Sequence, residues 1–85
     1  MIKQPLVFPE GAQMTRANAA SVVQAASRFE ARIMIERKQK IVNAKSTLGL
    51  LSLYTDIHDS LTLLADGPDE EAAAAAVQEA VAALR

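Results

Sequence analysis

Apolar and polar positions along this chain follow two periods, and the changes of period mark its elements. Residues 2–8 form a short apolar run rich in strand formers, closed by the turn chemistry of Pro9, Glu10 and Gly11. Pro5 inside that run predicts an edge strand or a bulge, because proline has no N–H for the ladder. Residues 15–28 then read as a helix, with Ala19, Val22, Val23 and Ala26 at helical spacing and Gln24, Ser27 and Arg28 elsewhere on the cylinder. Thr15 or Asn18 caps its start, and the pattern does not choose between them.

Period two returns over residues 31–37, where Ile33 and Ile35 share one face and Arg32, Met34 and Glu36 the other. Residues 41–44 are the return strand. The connection through Arg37, Lys38, Gln39 and Lys40 has no glycine, which predicts a looser loop than a tight hairpin. Ser46 is placed to cap a short helix running to about Leu53. Residues 61–65 form the fourth strand, and Asp66, Gly67, Pro68 and Asp69 make a turn that leads into a helix, with Glu70 and Glu71 at the positive end of its dipole. The last helix presents Ala73, Val77, Ala80, Val81 and Leu84 as its buried stripe, and the alanine run 72–76 lets it lie close to a sheet. The order βαββαβα predicts an α+β open-faced sandwich. A four-stranded, mostly antiparallel sheet is covered on one face by the helices and solvated on the other.

Composition narrows what such a domain does. The 85 residues support a single domain, 1–85, and alanine supplies much of the 51% hydrophobic content, so the core is expected to be thin. A formal net charge of -1 argues against direct nucleic-acid binding. With no cysteine there is neither a disulfide framework nor a thiolate metal site, and no cofactor is implied. No stretch has the length of a signal peptide's apolar core or a membrane span, so a cytoplasmic protein is expected. His58, the sole histidine, is flanked by Asp56 and Asp59, yet one imidazole among loop carboxylates is no specific metal site and receives no role. The basic turn 37–40 reads as a solvated loop.

Three segments carry a more specific signal: Val23-Gln24-Ala25-Ala26-Ser27-Arg28-Phe29, then Val42-Asn43-Ala44-Lys45-Ser46-Thr47-Leu48-Gly49-Leu50-Leu51-Ser52-Leu53, then Ala65-Asp66-Gly67-Pro68-Asp69-Glu70-Glu71-Ala72. At these separations they resemble HPr, the small phosphocarrier family of the bacterial sugar phosphotransferase system, whose element order is also βαββαβα. The family's active-site loop reads Gly-Leu-His-Ala-Arg-Pro-Ala. This chain has Gln13-Met14-Thr15-Arg16-Ala17-Asn18-Ala19, so Thr15 falls at the phosphoacceptor histidine, Ala17 at the arginine and Asn18 at the proline. A threonine hydroxyl with no adjacent base is a poor relay group, which leaves Thr15 as a helix cap.

Ser46 falls at the position that an ATP-dependent HPr kinase/phosphorylase modifies in this family; on residues alone it is an N-cap, and both roles are compatible. A phosphate there would lie at a helix start beside Lys45, with Lys40 as a further candidate neighbour. The resemblance thus implies a non-enzymatic, phosphoprotein regulator of catabolite repression rather than a carrier in sugar transport. Its partners would be the kinase and a catabolite-control transcription factor, engaged through Arg16, Thr47, Leu48 and Leu51. On the opposing reading, Leu48 or Leu51 packs beneath the Thr15 loop. A repurposed interaction module without phosphorylation is the alternative function, and an active phosphocarrier the third. Edge strands and apolar helix faces leave a homodimer open.

Overall fold

The computed structural model describes residues 1–9, 11–53 and 61–84. His58 therefore lies outside the described residues. Alternation and helical spacing produce the order β1 (Ile2–Leu6), α1 (Arg16–Ser27), β2 (Arg32–Arg37), β3 (Lys40–Asn43), α2 (Thr47–Leu51), β4 (Leu61–Asp66) and α3 (Glu70–Ala82). The strands form one sheet in the order β1-β4-β2-β3, with every pairing antiparallel.

Register decides which side chains are covered. Leu63 stands between Gln4 and Ile35, and Ile35 in turn faces Val42; Ala65 stands between Ile2 and Ile33. Ile33, Ile35, Leu63, Ala65 and Val42 are buried from this face, together with Val22 of α1, Leu50 of α2 and Val77 and Val81 of α3. All three helices lie on that side. The opposite face carries Lys3, Leu64, Met34 and Asn43 in one row and Pro5, Thr62, Glu36 and Ile41 in the next; Lys3, Pro5, Ile41 and Asn43 are exposed and the other four half-buried. Pro5 sits on β1, which pairs only with β4, so its missing N–H removes nothing from the interior of the sheet. Alanine is the commonest residue of the core, as expected of a thin one, and it lets α1 and α3 lie close to the strands and to each other.

Two expectations need correction. The β2–β3 connection is not a loose loop: Arg37 pairs with Lys40, so Lys38 and Gln39 alone make the turn. Lys38 supplies the left-handed conformation (φ 54°) that glycine would normally provide, at a cost of roughly 1–2 kcal/mol. The register explains why this is tolerated. Burying Ile35 opposite Val42 fixes the pairing, and a one-residue slip of β3 would turn Val42 outward and bring Ile41 or Asn43 to the core face. On α3 the buried stripe takes in Ala74 rather than Ala80, which is half-buried; Ala73, Val77, Val81 and Leu84 are buried as expected.

Candidate functional site at the Ser46 turn

The turn from β3 into α2 is built from its own polar groups. The Asn43 carbonyl accepts from the Ser46 amide at 3.0 Å, and the Asn43 side-chain Oδ1 accepts from the Lys45 amide at 2.8 Å. Such an Asx-turn spares backbone donors that no strand or helix can satisfy. Ser46 then caps α2: its backbone is extended and its Oγ accepts from the Gly49 amide at 3.1 Å. Ser46 itself is half-buried.

The helix that follows divides its side chains. Leu50 is fully buried and Leu53 beyond it likewise, while Leu51 is half-buried and packs against the core. Leu48 points away with 81% of its surface exposed, and Thr47 is exposed beside it.

Neither nearby lysine is bonded to Ser46. The Lys45 ammonium donates to the Phe29 carbonyl at 2.6 Å, which ties the Ser46 turn to the end of α1. Lys40 donates to the Ser52 carbonyl at 3.4 Å, at the far end of α2 from Ser46, where a cation complements the helix dipole.

Thr15 settles the choice of cap for α1. Its Oγ1 accepts from the Asn18 amide at 3.2 Å, and the Asn18 side chain closes the preceding turn by donating to the Gln13 carbonyl at 2.6 Å. Arg16, the first residue of the helix, is exposed, while Ala12 and Met14 of the same loop are buried. The packing of α1 on α2 joins the two capped helices in one layer. Among the described residues no group of His, Asp and Glu side chains could hold a metal ion, and no helix is long and apolar enough to cross a membrane.

Asp69 is a bridging side chain that the sequence pattern did not single out. Asp69 occupies the N-cap position of α3 without capping it; its carboxylate instead accepts from the amides of Glu30 and Ala31, at 2.9 and 2.8 Å. The Glu30 amide does most to hold the Asp69 pKa below the ordinary aspartate range, and the Ala31 amide and the Lys45 charge act in the same direction. Lys45 and Asp69 thus brace residues 29–31 from two sides. Because the pKa is lower folded than unfolded, the stability from Asp69 is complete above the unfolded value of about 3.9. It is lost as pH falls through the folded pKa. Urea midpoints measured at neutral pH and near pH 3 should converge between the parent chain and Asp69→Asn, the parent losing more on acidification. An equal loss in both chains would show that other carboxylates set the acid limit.

A four-stranded antiparallel sheet open on one face, with three helices packed on the other, is a fold that sequence comparison places in a family. The family described as PTS HPr component phosphorylation site matches residues 9–83, and the chain belongs to the HPr family. It is 45% identical over 60 residues to the phosphocarrier protein HPr of Treponema pallidum, covering 71% of this chain and 68% of that one. To the HPr-like protein Crh of Bacillus subtilis it is 46% identical over 67 residues, covering 74% and 79%. The crystal structure of HPr from Thermoanaerobacter tengcongensis superposes with a TM-score of 0.85 at 33% identity, over 95% of this chain and 91% of that one.

Proposed function

We propose that this chain is a non-catalytic regulatory member of the HPr family, acting in carbon catabolite control and switched by phosphorylation of Ser46. An HPr kinase/phosphorylase is the modifying enzyme, and a catabolite-control transcription factor is the partner of the modified form. The observation that carries this reading is the pairing of the half-buried Ser46 hydroxyl with Leu48, 81% exposed two residues further on. Arg16, Thr47 and Leu51 extend the docking surface, Leu51 through the part of its side chain that the core does not cover. The chain is about equally similar to a phosphocarrier HPr and to the HPr-like protein Crh, and threonine at position 15 supports a regulatory rather than a relay role.

The chemistry is a single phosphoryl transfer. The Ser46 Oγ–P bond forms as the bond to the leaving nucleoside diphosphate breaks, and the hydroxyl proton passes to a base on the kinase. The product adds roughly -1.5 to -2 charges beside Leu48. With Lys45 committed to Phe29 and Lys40 to Ser52, the new charge is offered outward, to cations that a partner supplies.

Intact mass after incubation with ATP and HPr kinase should show one added phosphate, absent from Ser46→Ala. No addition to a chain whose circular dichroism is native would favour the second reading, an interaction module in which Ser46 is only the cap that its bond from Gly49 makes it.

A further inference from the structure

Gly49 occupies an interior position of α2 for which no backbone reason is visible. It is helical, and it is not one of the glycines with positive φ. Alanine is the stronger helix former at such a position. Sterics do not forbid alanine either. A Cβ built there would lie 3.4 Å from the Asn43 carbonyl oxygen, 3.4 Å from Ser46 Cβ and 3.5 Å from Ser46 Oγ, all ordinary van der Waals contacts. A side chain at position 49 would fit and would strengthen the helix, and it would rest on the Ser46 hydroxyl.

The hydroxyl is not free to turn away from such a methyl. Its Oγ is held by the Gly49 amide, the Ser46 amide by the Asn43 carbonyl, and the preceding Lys45 amide by Asn43 Oδ1. The directions from which a phosphorus atom can reach Oγ are therefore set by the turn itself, and in-line attack demands an approach to about 3–3.5 Å. A methyl group in contact with Oγ occupies part of that space.

We propose that Gly49 is a specificity-determining residue: the missing side chain keeps the Ser46 hydroxyl open to an incoming nucleoside-triphosphate phosphoryl donor, at the expense of helix stability. This rests on Ser46 being the modified residue. It adds a requirement that the cap geometry alone does not contain, namely that access to Oγ and stability of α2 oppose each other at one position. Slower phosphorylation of Gly49→Ala should accompany an unchanged or raised melting temperature, which is the reverse of what a folding defect produces.

The chain has no cysteine, so Ser46→Cys introduces a unique thiol whose alkylation by iodoacetamide measures access without any kinase. Three comparisons are made: melting of the parent and Gly49→Ala, alkylation of Ser46→Cys with and without Gly49→Ala, and kinase labelling of the parent and Gly49→Ala. Gly49→Ala should melt at or above the parent temperature while slowing alkylation and kinase labelling by about tenfold each, about 1.4 kcal/mol of barrier. Equal alkylation rates in folded chains would overturn the inference. Slower alkylation with no kinase labelling of either chain would uphold the control of access by Gly49 and overturn phosphorylation of Ser46.

Discussion

Gly67→Ala should cost this domain more than any other single methyl group. Gly67 adopts φ 155°, a region nearly closed to residues with a Cβ, and a Cβ built on it falls 2.6 Å from Ala31 Cα and 3.0 Å from Ala31 Cβ. Ala31 is fully buried and its amide is held by Asp69, so the neighbour cannot yield without breaking that bond. Strain and overpacking together amount to about 3 kcal/mol or more. In a domain of this size each kcal/mol moves the thermal midpoint by about 4–8 °C. Gly11→Ala is the control: φ is again positive, at 84°, but nothing lies within 4 Å of the added carbon, so the loss should be limited to about 1–2 kcal/mol. Equal midpoints for the two variants would mean that the turn between β4 and α3 adjusts at little cost.

Incubation with phosphoenolpyruvate and enzyme I should leave the chain unlabelled, a difference of several orders of magnitude from a working carrier. Thr15, which the family motif aligns with its phosphoacceptor histidine, has its oxygen engaged as the cap of α1 by the Asn18 amide. Its hydroxyl is un-ionised at neutral pH, and the chain's one imidazole belongs to His58, far along the sequence. Were an ester to form at Thr15, it would be a much poorer donor than a phosphohistidine. The informative variant is Thr15→His, which sets an imidazole at the exposed start of a helix whose amide groups favour an added anion. Label gained by Thr15→His and absent from the parent would place the loss of relay at this one residue. Label on the parent, passed onward to a sugar-specific acceptor, would make this chain a carrier after all.

Much of the fold was legible in the chain because it rests on short-range periodicity. Ile33 and Ile35 alternate with Arg32 and Met34, and the sheet buries the first pair and leaves the second at its open face. Thr15 and Ser46 are both caps because each precedes a helix with amides to satisfy within three residues. What escaped the pattern depends on partners far away in sequence. Asp69 was legible only as part of a turn leading into a helix, and its carboxylate accepts from the distant Glu30 and Ala31 amides. Lys45 looked like a neighbour for a phosphate, and its ammonium is spent on Phe29. The tight turn at Lys38 and Gln39 was hidden for another reason: local chemistry disfavours it, and the packing of Ile35 and Val42 on either side overrides that preference. Gly49 did carry a local signal, as a glycine inside a predicted helix.

The strand order has a consequence for how the chain comes together. β4 lies between β1 and β2, so the first strand can join the sheet only once residues 61–66 are in place. During synthesis, the β2–β3 hairpin can close early, but Ile2 and Leu6 have no strand to pair with until about three-quarters of the sequence has emerged. A nascent chain stopped before β4 would hold β1 and the β2–β3 hairpin without the strand that joins them, with Ile33, Ile35 and Leu6 uncovered. The domain's assembly is therefore gated by its C-terminal third, and a chaperone or a slow codon acting there would have the most influence on its yield.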